Sequence, residues 1–369
     1  MNPFPFVDPI PLPAPVWLFK ALHLLTLSLH FVAMQTFLGG LFLAVLFHAT
    51  GASDPLRKGS GAALARRLPI LITFVINLGV PPLLFTQVLY GPFLYTSSEL
   101  IGLYWFAVIF LVMGTYWLLY RFADAADKGR NAWWMGALAW AMVLFISKIY
   151  STNMTLMLRP EVWPSMYSAS AGGALFPPHD PTFLPRWAFM LTGVFWVAGF
   201  WLIWIAGRKT TEPALGRYLA GFGGRLAAAM IVLQACLFYA LLSVQPALVR
   251  DGIASSLWLK GAAAAWCAGA ALVFVFALWA AATKACSYAA GYIALLLAVI
   301  TLASWVILRD GIRDLTLAGK GFDVWQQAVV TNWNVVGWFV LTLVLGLAAL
   351  GWLLYVMMQA KPVAEGGMS

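Results

Sequence analysis

Two of the chain's four histidines, His23 and His30, lie inside one apolar run, ALHLLTLSLHFVAMQTFLGG, residues 21–40. Ionisable side chains are costly inside a bilayer, so those found there are functional candidates by default. On a helix the seven-residue step turns about 700°, roughly 20° short of two full turns, and rises about 10 Å. His23 and His30 therefore share a face, and Lys20, Thr26 and Met34 fall near it. An imidazole lone pair can ligate haem iron, and the second imidazole could bond a propionate. The plainer alternative is a hydrogen bond from a neutral imidazole to a neighbouring helix. His48 reads as interfacial, beside a basic loop, and His179 as a solvated residue of a loop.

Other polar residues share this region of the chain's chemistry. Lys148, in FISKIYSTNM, could meet an acid, a propionate or a quinone carbonyl, or could snorkel to the surface. Lys260 opens one apolar segment, and Arg309, Asp310, Arg313 and Asp314 close the next. These charges suit propionates, a partner, or an ordinary interface. Glu99 reads as a helix cap, and GVPP (79–82) as a break that frees backbone groups. The cysteines Cys236, Cys267 and Cys286 form no CxxCH or CxxC pattern, so no covalent c-type haem is expected. They read as small apolar residues.

The elements that must carry these residues are membrane spans. The 369-residue chain is 63% hydrophobic and only 9% charged, against roughly 25% charged in soluble domains. The expected fold is a single all-α integral membrane domain over 1–369. Nine spans are expected, at 16–48, 68–90, 99–120, 132–157, 187–207, 225–248, 259–283, 287–308 and 333–358. The net charge of +9 sits in short loops, so it points to topology and not to nucleic acid. Arg57, Lys58, Arg66 and Arg67 follow span one; Arg121, Lys128 and Arg130 follow span three; Arg208, Lys209, Arg217 and Arg225 follow span five; Lys284 and Lys361 follow spans seven and nine. The positive-inside rule then puts the N-terminus outside and the C-terminus in the cytoplasm. The proline-rich start does not read as a cleavable signal. Trp163, Trp187, Trp258, Trp325 and Trp333 read as outer interfacial anchors. The segment 309–332 is expected as an amphipathic interfacial helix. Neither an internal repeat nor a P-loop is evident.

The pattern resembles subunit I of the cytochrome bd quinol oxidases. His30-Phe31 with Thr36, Gly39 and Gly40 is similar to that family's first span. Ile76-Asn77, Gly79-Val80, Gln87 and Gly91 resemble its second, and Asn153 to Pro160 the end of its fourth. Trp258-Leu259-Lys260 resembles the start of its seventh, and Trp305 and Gly311 its eighth. The departures are equally informative. Where the family has a low-spin haem histidine and methionine, this chain has Arg186-Trp187 and Ala262. Where it has a pair of glutamates for the high-spin haems, this chain has only Glu99, at an edge, and Arg309. The quinol-binding loop shrinks to 249–258, and Gly311-Ile312-Arg313-Asp314-Leu315 replaces the family's glycine-arginine motif.

The resemblance implies a bd-like subunit of a multi-subunit respiratory complex in a bacterial cytoplasmic membrane. It would anchor outer-face subunits, c-type cytochromes in the first instance, and hold at most one haem b, with His30 on the iron and His23 nearby. Reduction of oxygen by this chain alone is not expected. The alternatives are a haem-free subunit that binds quinone or only scaffolds its partners, and a transporter lined by the GVPP break. The topology has a direct test. With the native cysteines replaced by alanine, a Ser168→Cys variant should react with a membrane-impermeant maleimide from the outer side. A Thr210→Cys variant should react only after permeabilisation; the reverse pattern would invert the orientation.

Overall fold

The computed structural model describes residues 10–51 and 53–359, with side chains in the last helix described through 346 and at 348, 349 and 352. The described residues are all-helical, apart from one isolated bridge between Leu12 and Val329. The helices are α1 (Val16–Thr50), α2 (Pro55–Ala65), α3 (Leu68–Leu100), α4 (Gly102–Asp127), α5 (Trp133–Leu156), α6 (Trp163–Ala169), α7 (Phe183–Ala206), α8 (Pro213–Ser243), α9 (Ala247–Ser255), α10 (Leu257–Thr283), α11 (Tyr288–Ala318) and α12 (Trp333–Gln359). Eight are long and apolar enough to cross a membrane, and α12 contributes a shorter apolar stretch, Trp333–Gly346. The expected Lys361 lies outside the described residues.

A helix satisfies its backbone groups within its own segment without water, so a chain of long continuous apolar runs folds as a bundle of helices. α7 is the most enclosed span, with α1 and α8 packed along it. Close approach comes from small residues. A side chain at Gly39 would lie 2.2 Å from the Val194 carbonyl, and one at Gly40 2.3 Å from the Trp201 ring. Gly199 and Gly223 face each other across α7 and α8, where a Cβ on Gly199 would sit 2.5 Å from the Gly223 carbonyl. Small residues matter here because hydrocarbon offers no hydrophobic drive between helices, which leaves van der Waals contact as a main attraction. Around these contacts Trp196, Trp266 and Trp305 are fully buried. Trp266 stacks on Phe238 at 4.0 Å, and Trp305 packs against Phe189.

Several boundaries differ from the sequence expectation. α11 continues to Ala318, so Arg309, Asp310, Arg313 and Asp314 lie within it. The expected interfacial helix over 309–332 is replaced by this extension, followed by a mostly irregular segment with one short turn at Val324–Gln326. The GVPP segment does not break α3, which keeps helical dihedrals through Pro81 and Pro82. The departure is at Tyr90 (φ −135°, ψ 30°), two residues before Pro92. Proline removes a backbone donor and crowds the preceding turn, which accounts for a kink there. Glu99 ends α3 and caps no helix start. Cys236, Cys267 and Cys286 are exposed on the outside of the bundle rather than buried.

Gly199→Val should force α7 from α8 and cost about 1–3 kcal/mol. The thermal midpoint in detergent should fall clearly. Gly261→Ala, where a Cβ meets only open space, should leave it unchanged or slightly higher.

Candidate functional site

The polar centre of the chain lies where the first turns of α1 meet α3 and the last turns of α11. Lys20 Nζ donates to Asp310 Oδ2 at 2.7 Å, Asp314 Oδ2 at 2.5 Å and the Tyr90 hydroxyl at 2.5 Å. Tyr90 in turn donates to Asp314 Oδ1 at 2.5 Å. Arg313 donates to Asp310 Oδ1 and lies over the Tyr90 ring, 4.2 Å from its centroid. The local origins are plain. Asp310 and Asp314 are one turn apart on α11 and so face α1 together. The kink at Tyr90 carries its hydroxyl to the same point. Lys20 is 4% exposed, Asp310 6% and Arg313 5%. Buried charges persist when paired and hydrogen-bonded, and Lys20 with its two carboxylates meets that condition.

His23 and His30 both turn toward α3 yet end in different states. His23 Nδ1 meets the Pro82 carbonyl at 3.1 Å, and Arg313 lies 3.1 Å from Nε2. A carbonyl only accepts and a guanidinium only donates, so the ring is neutral with its proton on Nδ1. Both nitrogens are thereby engaged. His30 Nδ1 donates to the Val75 carbonyl at 3.0 Å. Its Nε2 has no protein hydrogen bond among the described residues, and the ring is half-buried. Gly79 makes room for it: a Cβ there would come within 2.9 Å of the imidazole.

The remaining expected site residues disperse. Lys148 is half-buried with Nζ 4.8 Å from the Phe176 ring centroid. Lys260 is exposed at the start of α10. Arg309 lies 6.0 Å from the Phe31 ring and lines a cavity between α5, α7, α8 and α11, which His30 does not line. His48 bonds the Ala44 carbonyl of its own helix at 2.8 Å, and His179 is exposed. Among the described residues no three His, Cys, Asp or Glu side chains come together.

Sequence reasoning placed Lys20 on the histidine face but did not pair it with Asp310, Asp314 and Tyr90. The i, i+4 spacing of the two aspartates was an available signal, since it marks one helix face. Tyr90 carried no such signal, because its position depends on the kink. A second group also went unnoticed: Gln234 Nε2 donates to the Phe189 carbonyl and its Oε1 accepts from Trp196, all in the α7–α8 interior.

No family model matches the chain, and a search of curated proteins finds no significant match. The likeness to cytochrome bd subunit I therefore rests on the residues quoted for it.

Lys20→Met should leave two carboxylates short of a cation and destabilise the protein by about 3–5 kcal/mol, the cost of breaking a buried pair. Lys20→Met with Asp314→Asn should recover part of that loss in thermal unfolding. A double-variant loss equal to the sum of the two single-variant losses would show that the pairing carries no coupling.

Proposed function

We propose that this chain is a membrane subunit of an electron-transfer complex, of the bd-oxidase-like kind, and that it holds one haem b through His30. The observation that supports this is the state of the His30 ring. A metal-ligating histidine ordinarily donates its other N–H to a carbonyl, carboxylate or water, which fixes its tautomer and orientation. The bond from His30 Nδ1 to the Val75 carbonyl does this and leaves the Nε2 lone pair available. Gly79 keeps the side of the ring clear. His23, with both nitrogens engaged, is a positioning residue of the Lys20 network and not a second iron ligand.

When bound, the haem would supply one-electron chemistry, with its potential set by the axial ligand and by burial. The protein's part is to present one oriented imidazole from α1 and to exclude water with apolar neighbours. In this reading the chain lies in a bacterial cytoplasmic membrane, anchors outer-face subunits such as a c-type cytochrome, and passes electrons to or from them. It is part of an oxidoreductase assembly and does not reduce oxygen alone. The quinone alternative has less to draw on: Lys148 rests over an aromatic ring, Asn153 Nδ2 bonds Ser98, and His23 has no free nitrogen.

The test is spectroscopic. The complex, purified with its native partners, should show a b-type signal in reduced-minus-oxidised and pyridine haemochrome spectra. His30→Ala should abolish it, and His23→Gln should retain it. Absence of any b haem, or a signal indifferent to His30→Ala, would overturn the reading.

A further inference from the structure

A cavity of about 210 Å³ opens at the same end of the bundle, between α5, α7, α8 and α11. That is far more than the roughly 10–15 Å³ that holds one water. Its lining mixes apolar side chains, Met154, Leu241, Trp305 and Ile312, with the guanidinium groups of Arg186, Arg309 and Arg313. The charges around it do not balance. At the rim, Arg159 lies 3.5 Å from Asp180, and Lys320 lies 2.5 Å from Glu161. Arg313 shares Asp310 with Lys20. Arg186 donates only to the hydroxyls of Thr155, at 2.9 Å, and Thr182, at 3.0 Å. Arg309 has neither a hydrogen bond nor an ion pair among the described residues, only the distant Phe31 ring. Among the described residues, then, neither guanidinium group has a carboxylate within ion-pair distance, in a span region where charge is expensive. A further observation points the same way. Arg313 is 5% exposed, and its Nε and Nη1 are buried with no partner.

We propose that this cavity binds a small oxyanion group, a phosphate or carboxylate, held by Arg186 and Arg309 with Arg313 behind them. Guanidinium presents planar paired donors that match such oxygens, and charge-assisted bonds of this kind are strong. An anion there would neutralise the surplus charge and satisfy the unpaired donors together. The apolar lining residues suit a group that continues into a hydrocarbon chain, so the anion can be the headgroup of a phospholipid or a free ion from the aqueous side. The site is independent of the His30 reading, since His30 faces Val75 and Gly79 on α3 and lines no part of this cavity.

The test uses the full chain in a phosphate-free maltoside detergent, alone or with added phosphatidylglycerol, with and without inorganic phosphate. Phenylglyoxal modification, mapped by mass spectrometry, reads the accessibility of Arg186 and Arg309 without any substitution. Protection of both by at least threefold on adding inorganic phosphate supports the site and assigns a free anion. Protection only with phosphatidylglycerol supports it and assigns a lipid headgroup. In either case Arg309→Gln and Arg186→Gln should weaken the effective affinity at least tenfold, whereas Lys148→Gln should not. Equal modification under all conditions would overturn the proposal, as would equal protection of the loop arginines without selectivity for these two residues.

Discussion

The chain's arrangement turns on one buried cation. Lys20 enters a region that cannot solvate it, and its charge is answered by Asp310 and Asp314 from the far end of the sequence. The same interaction draws in the Tyr90 hydroxyl, so α1, α3 and α11 are tied at one point. Each partner alone would be a liability in a low-dielectric interior, and together they are mutually required. The extension of α11 to Ala318 follows from this. Its charged residues need not leave the bundle for water, because α1 and α3 already supply their partners. The segment after α11 is tied to the same end, where Leu12 exchanges backbone hydrogen bonds with Ala328 and Val330.

Two histidines on one helix face come to different ends because of what stands opposite them. His23 is level with Arg313, whose guanidinium occupies its second nitrogen. His30, two turns along, meets the Val75 carbonyl and lies against the bare backbone of Gly79. Equal spacing on α1 does not make the residues equivalent. The same contrast separates the arginines at the end of α11. Arg313 pairs with Asp310 through one nitrogen, while Arg309, one turn earlier, has no ion pair among the described residues and lines a cavity.

Elsewhere the packing is governed by small residues rather than by charge. Glycine pairs let α7 approach α1 and α8 to backbone distance, and large aromatics fill the space beside them. The long exposed apolar faces of α3, α4 and α10 suit hydrocarbon. The cysteines, which as apolar residues could have been interior, are exposed instead, on α8, on α10 and in the turn between α10 and α11. In a bilayer an apolar side chain gains little by choosing the interior, so composition alone does not say which way it points.

By itself the sequence determined the all-helical membrane class and most of the spans. Runs of about 20 apolar residues leave the backbone no other way to satisfy its hydrogen bonds. It also determined that His23 and His30 share a face, because helical periodicity is local. What it did not determine were the helix ends and the partners. GVPP read as a break, but α3 keeps helical dihedrals there and departs from them at Tyr90, two residues before Pro92. Arg309 and Asp310 read as the close of a span, but they lie within a helix whose charges are paired or lined up along a cavity. Only the tertiary structure decided these points. A buried charge is tolerated or not according to groups that lie far away in sequence and adjacent in space.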